Sequence, residues 1–209
     1  SLGHHLLPPN QRIAIIGPGG NKDILTALLF RPKKIDAIEI NPILVNDLLG
    51  DRLRSFTGIL LQHPKVNVWV NDGRAALQQM KGPFDLITAN SVVTWAAHGS
   101  SAMNLAEHSL YTKEACTLYF ERLSSHGILS VSLWDVREHA LPLRWIATCH
   151  EAAQSKGIRS FQDHVAVVAN PWGKKHFFAN VLISRKPWSR EQLKHLFRFA
   201  NQYFYVPLY

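Results

Sequence analysis

Apolar residues recur along the chain in two rhythms. Short β-rich runs read as strands at Arg12–Ile16, Ile35–Ile40, Val66–Val70, Phe84–Ala89, Ile128–Trp134, His164–Ala169 and Phe178–Ser184. Helical spacing lies between them: Ile24, Leu25, Leu28 and Leu29 share one face, and Leu44, Val45, Leu48, Leu49 and Leu53 another. Asn41-Pro42 supplies an N-cap followed by proline at the first helical position. Ser189 with Gln192 forms a capping box for a last helix from Arg190 to about Asn201. Gly127 and Gly157 follow helical patterns and suit the left-handed position after a helix. Strand–helix alternation predicts an α/β fold, a parallel sheet covered on both faces. Only a polar Asn170–Lys175 loop, with Pro171 and Gly173, joins the last two strands, so an antiparallel hairpin is expected at one edge. Ser91 to Tyr111 has no clear period, and connections of that length tend to carry function.

Composition narrows the class. With 209 residues, 46% of them hydrophobic and 18% charged, the chain suits one globular domain with a sizeable core. No apolar run approaches the roughly 20 residues that cross a bilayer, and no signal segment opens the sequence. Cys116 and Cys149 are too few for a disulfide framework, so both are expected as free core thiols in a reducing compartment. The 11 histidines are scattered; His4 and His5 would diverge on a strand, and no metal site is assigned. The net charge is +8, with basic residues late in the chain at Lys174, Lys175, Arg185, Lys186, Arg190, Lys194 and Arg198. Nucleic acid, an anionic membrane surface and a merely solvated face are all open. Aromatics do not interleave with these charges in a stacking pattern, which disfavours nucleic acid.

Chemistry concentrates in "IAIIGPGGNKDILTALLF", Ile13 to Phe30, where a strand breaks on glycines and restarts as a helix. In an α/β sheet that first turn lies where ligands bind. Gly17 and Gly19 permit close backbone approach, and the helix start favours a polar or anionic group. The dinucleotide fingerprint needs a third glycine where this chain has Lys22, which argues against NAD or FAD. Glu39 ends the second strand about 20 residues on, where an acid can accept hydrogen bonds from ribose hydroxyls. Asp72-Gly73 closes the third strand before Arg74 opens a helix, so its carboxylate can meet an adenine amino group or simply cap that helix. Three such features in order point to an adenosine-bearing ligand.

"IIGPGGNKDIL", "AIEINP", "VNVWVNDGRAAL" and "FDLITAN" together resemble the class I S-adenosylmethionine-dependent methyltransferase superfamily, and within it the spermidine synthase-like group. The likeness runs from about residue 6 to the end. It is closest to members whose soluble domain is fused to membrane spans, through Thr94–Ala97, Gly99, Leu105, Glu107, Leu110–Thr112 and Glu114. The resemblance implies a Rossmann-like seven-stranded sheet, ordered 3-2-1-4-5-7-6 with the last strand antiparallel and helices on both faces. It implies S-adenosylmethionine or its decarboxylated form as cofactor. Gly17, Gly19 and Gly20 would line the methionine side, Glu39 the ribose, and Asp72 and Gly73 the adenine. Pro18, Ile40, Asn41 and Arg74 complete the expected cofactor set, and Asn90 would face the sulfonium carbon.

Departures shape the expected reaction. Aminopropyltransferases of this type carry a D-x-x-D pair where this chain has Asn90 and Val93, and Gly20 replaces the acid of their glycine turn. Their small N-terminal β-domain is not expected here, since the first strand starts by Arg12. Asn90 cannot accept a proton from an ammonium. A methyltransferase acting on a small molecule is the first expectation, with Asn90, Ser91, Trp95 and Tyr111 as catalytic candidates beside Thr94. Alternatives are aminopropyl transfer with acids from Glu107 or Asp135, and a module that binds the cofactor without transfer. Residues 1–209 are expected to be one cofactor-binding domain of a longer protein, cytoplasmic and held at the inner face of a membrane. The partners expected are a small-molecule acceptor, an anionic membrane surface and a second copy of the chain. The apolar "YFYVPLY" ending adds to the expectation of a larger protein.

Overall fold

The sheet runs through the middle of the molecule with a hydrophobic core on each face. A computed structural model describes residues 2–90, 92, 109–135, 140–172 and 176–209. Its strands are β1 (Arg12–Ile16), β2 (Lys34–Glu39), β3 (Val66–Val70), β4 (Phe84–Asn90), β5 (Leu123–Asp135), β6 (Val165–Trp172), β7 (His176–Ser184) and β8 (Val206–Pro207). They lie in the order β3-β2-β1-β4-β5-β7-β6-β8. The inner strands β3, β2, β1, β4 and β5 pair in parallel, while β7 runs antiparallel to both β5 and β6. The expected order and reversed hairpin strand are therefore present. An eighth strand is added: the apolar tail pairs Val206 and Pro207 with Ala169 and Val168 at the outer edge.

Alternation along each strand divides the two cores. Ala14 and Ile16 face the helices α2 (Gly73–Gln79), α3 (Lys113–Arg122) and α4 (Ala140–Ser155). Ile13 and Ile15 face α1 (Lys22–Leu29) and α5 (Arg190–Gln202). A 3₁₀ turn, Leu2–Leu6, also covers this second face, with Leu2 buried. Strands buried on both sides read as continuous apolar runs, and period alone cannot tell which residue faces which layer.

Local expectations fare unevenly. Asn41 caps as expected, its Oδ1 accepting from the amides of Ile43 and Leu44 at 3.0 and 3.3 Å. The Ser189–Gln192 capping box closes at 3.1 Å in both directions. The inward face of α1 carries Ile24 and Ala27, whereas Leu25 and Leu29 are 50% and 74% exposed. Leu44–Arg52 is wound as a π-helix, and Leu53 N–H donates to the Leu48 carbonyl five residues back. That wider winding buries Val45 and Leu49 but turns Leu48 outward. Gly157 takes the left-handed φ of 76°, but Gly127 does not. The helix α3 passes straight into β5 through an extended Leu123, so no left-handed turn is needed there. Gly127 instead lies within β5, where a Cβ would stand 2.8 Å from the Phe84 carbonyl oxygen. His4 and His5 sit on the 3₁₀ turn rather than a strand, and both rings pack on Phe30.

The cysteine expectation is overturned. Cys116 of α3 and Cys149 of α4 form a disulfide, with their Cα atoms 5.3 Å apart. Adjacent packing of two helices on one sheet face brings together thiols 33 residues apart. A count of cysteines carries no information about such proximity, and the argument for a reducing compartment falls with the free thiols. Among the described residues no helix is long and apolar enough to cross a membrane.

Candidate cofactor and acceptor site

The carboxyl-terminal ends of β1, β2 and β4 meet at the glycine turn. Gly17 N–H donates to the Ile38 carbonyl at 2.8 Å, tying the turn to the end of β2. Gly17 and Gly19 take φ of 64° and 50°, the left-handed region that side chains avoid. A Cβ on Gly17 would also lie 3.2 Å from Val92 Cγ2, just beyond β4. At Gly19 and Gly20 the opposite holds: a Cβ would meet nothing within 4 Å. The backbone there faces open space. Pro18 is buried, and its carbonyl accepts from Asn21 N–H at 3.0 Å to close the turn.

Glu39 fixes the far side of this cradle. It is only 7% exposed, with Oε2 accepting from Gly19 N–H at 3.3 Å and Oε1 from Asn41 N–H at 3.1 Å. One amide bond on each oxygen leaves acceptor capacity on both. Ile40 beside it is 42% exposed. Asp72 caps α2, its Oδ1 accepting from Arg74 and Ala75 amides at 3.0 and 2.9 Å. Gly73 has a packing reason as well, since a Cβ would stand 2.7 Å from Ile16 Cγ2. Gly17, Pro18, Gly19, Gly20, Glu39, Ile40, Asn41, Asp72, Gly73, Arg74 and Asn90 thus stand on the strand ends or the residues directly following them.

Asn90 leads away from that cradle along a chain of hydrogen bonds. Its Nδ2 donates to Asp23 Oδ1 of α1 at 3.0 Å. Its Oδ1 accepts from Ser132 Oγ at 2.8 Å, and Ser132 Oγ accepts from Asn180 Nδ2 at 2.7 Å. A cleft of about 360 Å³ opens over this row, walled by α1, α5 and the 3₁₀ turn. Tyr111 belongs to the other layer: it packs on the α3–α4 core, its ring edge-on to Trp145 at 6.3 Å between centroids. The neighbouring Leu110 carbonyl accepts from the Tyr119 hydroxyl at 3.0 Å, and burial pushes that phenol well above its ordinary range. Ser91, Val93, Thr94, Trp95 and Glu107 lie outside the described residues, as does the side chain of Asp135.

Several residues of the site escaped the sequence reading. Asn21 is 1% exposed with φ of 68°, and neither its Oδ1 nor its Nδ2 has a partner. Asp23 supplies a carboxylate to Asn90. Both sit inside the glycine-turn motif, but the motif's glycines drew all the weight. Ser130, Ser132 and Asn180 went unnoticed as well, although each is a polar residue interrupting an otherwise apolar strand, with the two serines at period two.

The sheet order, the reversed β7, the glycine turn after β1 and the acid ending β2 define a class I methyltransferase fold, with spermidine synthase-like similarity. No protein-family model matches the chain, and no curated protein matches it in sequence. Solved structures do. Spermidine synthase from Thermotoga maritima superposes with a TM-score of 0.63 at 13% identity, over 91% of this chain and 58% of its own. A probable spermidine synthase from Corynebacterium glutamicum gives 0.63 at 17% identity, over 90% and 62%. Human methyltransferase-like protein 13, in complex with SAH, gives 0.62 at 14%, over 96% and 88%. The chain thus spans about 58% of the length of the Thermotoga enzyme.

Proposed function

We propose that the chain binds S-adenosylmethionine and transfers its methyl group to a small-molecule acceptor. The observation that carries this reading is the open cradle at Gly19 and Gly20, bounded by the buried Glu39 carboxylate. The unpartnered amide of Asn21, buried in the same turn, supports it, because a buried amide without partners is costly unless a ligand meets it. The methyltransferase neighbour that holds SAH supports the same class of ligand. Bound there, the cofactor would supply an electrophilic methyl carbon on sulfur. Glu39 would hold ribose hydroxyls, Asp72 would face the adenine end, and the glycine amides would lie along the methionine portion. Asn90, its amide oriented by Asp23 and Ser132, would position the attacking atom without removing a proton. Methyl transfer rests on alignment and often needs no strong base.

Aminopropyl transfer to a diamine is the second reading, favoured by the spermidine synthase neighbours and by the carboxylate of Asp23 near Asn90. It ranks lower because among the described residues Asp23 is the one acid lining the cleft, and it already accepts from Asn90. Calorimetry with S-adenosylmethionine and its decarboxylated form separates the readings. The methyltransferase account expects the carboxylated cofactor to bind at least tenfold more tightly. Preference for the decarboxylated form, or putrescine turnover by the unmodified chain, overturns it. Binding with no methyl transfer to any acceptor would leave a sensing module.

A further inference from the structure

We propose that the cleft beside Asn90, on the α1–α5 side of the sheet, is the acceptor subsite and takes a small neutral molecule built on an aromatic ring with one hydrogen-bonding group. This rests on the transferase reading above and goes on to name the acceptor class.

Its floor is a row across three strands. Asn90 of β4 lies opposite Ser132 of β5, which lies opposite Asn180 of β7. The hydrogen bonds along this row run in one direction, from Asn180 through Ser132 to Asn90 and on to Asp23. Asp23 accepts only, so it fixes which end of the Asn90 carboxamide is nitrogen. The second Nδ2 hydrogen and the remaining Oδ1 lone pair are then presented in a set orientation. A hydroxyl or ring N–H can use either. The floor itself carries no charge.

The walls select a ring. His5, Phe178, Phe199 and Tyr205 reach the cleft from the 3₁₀ turn, β7, α5 and the segment after α5. His5 and Phe199 are in contact, with centroids 4.0 Å apart, so they form one aromatic surface. Burial holds the His5 imidazole below its ordinary range, which favours an uncharged ring on that surface. Flat aromatic faces with a few fixed polar groups are what small planar ligands require. Among the described residues the charged side chains lining the cleft are Lys22 and Asp23, neighbours of opposite sign on α1 whose charges offset each other and do not favour a diammonium. A volume of about 360 Å³ suits one or two fused rings.

Thr26 offers a way to block the cleft. It lines the α1 wall, and its hydroxyl donates only to the Lys22 carbonyl within the same helix. Saturation-transfer NMR with indole as probe, phenol as competitor and cyclohexanol and putrescine as controls reads the site directly. Indole should bind, phenol should displace it, and Thr26→Trp should weaken indole at least tenfold while S-adenosylhomocysteine affinity, measured by calorimetry, stays unchanged. Asn180→Leu should weaken phenol more than indole-sized apolar controls such as naphthalene. The proposal is overturned if indole does not bind, if Thr26→Trp leaves its binding intact, or if putrescine binds more tightly than indole. Thr26-sensitive indole binding without S-adenosylhomocysteine binding would sustain the aromatic subsite and refute the cofactor reading instead.

Discussion

His4 shows what a single polar residue costs when the fold buries it. Its ring is 1% exposed, stacks on Phe30 with centroids 5.1 Å apart, and leaves Nδ1 without a partner. Burial pushes its pKa down from 6.5 to about 3. Between those values the unfolded chain binds the proton and the folded chain does not, so stability falls as pH drops from 6.5 towards 3. Above 6.5 the group is neutral in both states and contributes no slope. Urea midpoints measured across this window should fall on acidification, and His4→Phe should flatten the fall. An unchanged slope in His4→Phe would show that other groups set the acid sensitivity. The residues of the cofactor cradle were more legible than His4. Gly17, Gly19 and Glu39 announce themselves because only glycine tolerates their turn and because an acid at a strand's end is conspicuous in an apolar run. Asn21 and Asp23 did not, since an Asn and an Asp at a helix start read as ordinary capping residues. Asn21 in fact makes no side-chain cap at all.

Among the elements, α3 and α4 are joined by the Cys116–Cys149 bridge, which closes a loop of 33 residues between two buried positions. Constraining the unfolded chain over a loop of that size is worth about 3–4 kcal/mol. Replacing both cysteines by alanine should lower unfolding free energy by about that amount in urea. Denatured but unreduced protein should give no reaction with a thiol reagent. Two reactive thiols without reductant would contradict the bridge. Strands and capped helices could be read along the sequence because their determinants are local: apolar period, Asn41-Pro42, and Ser189 with Gln192. The bridge, the π-wound Leu44–Arg52 segment and the pairing of Val206–Pro207 with β6 depend on residues distant in sequence or on packing. The same holds for the Asn90–Ser132–Asn180 row, which exists only once β4, β5 and β7 lie side by side.

For the whole molecule, charge and fold lead to separate expectations. The formal charge of +8 includes the exposed Arg190, Lys194 and Arg198 of α5, on the face that also carries α1. Each basic group near an anionic bilayer contributes about 1 kcal/mol of attraction. We propose that this face meets an anionic membrane surface, and co-sedimentation with vesicles should then rise with anionic lipid content and fall at high salt. Binding indifferent to lipid charge would refute that reading without touching the site. The α/β class was legible because strands and helices alternate along the chain, whereas the strand order was legible only through the family resemblance. The proposed acceptor site was less so, because Asn90, Ser132 and Asn180 come from strands far apart in sequence. The central claim, that the glycine turn and Glu39 form an S-adenosylmethionine site, is tested most directly by titrating S-adenosylhomocysteine into the chain and into Glu39→Gln. Removing the ribose acceptor charge should cost about 1–3 kcal/mol, roughly fivefold to 150-fold weaker binding, in a variant that unfolds at the wild-type urea concentration. Absence of binding to the wild-type chain, or equal affinity in the two, would contradict the account.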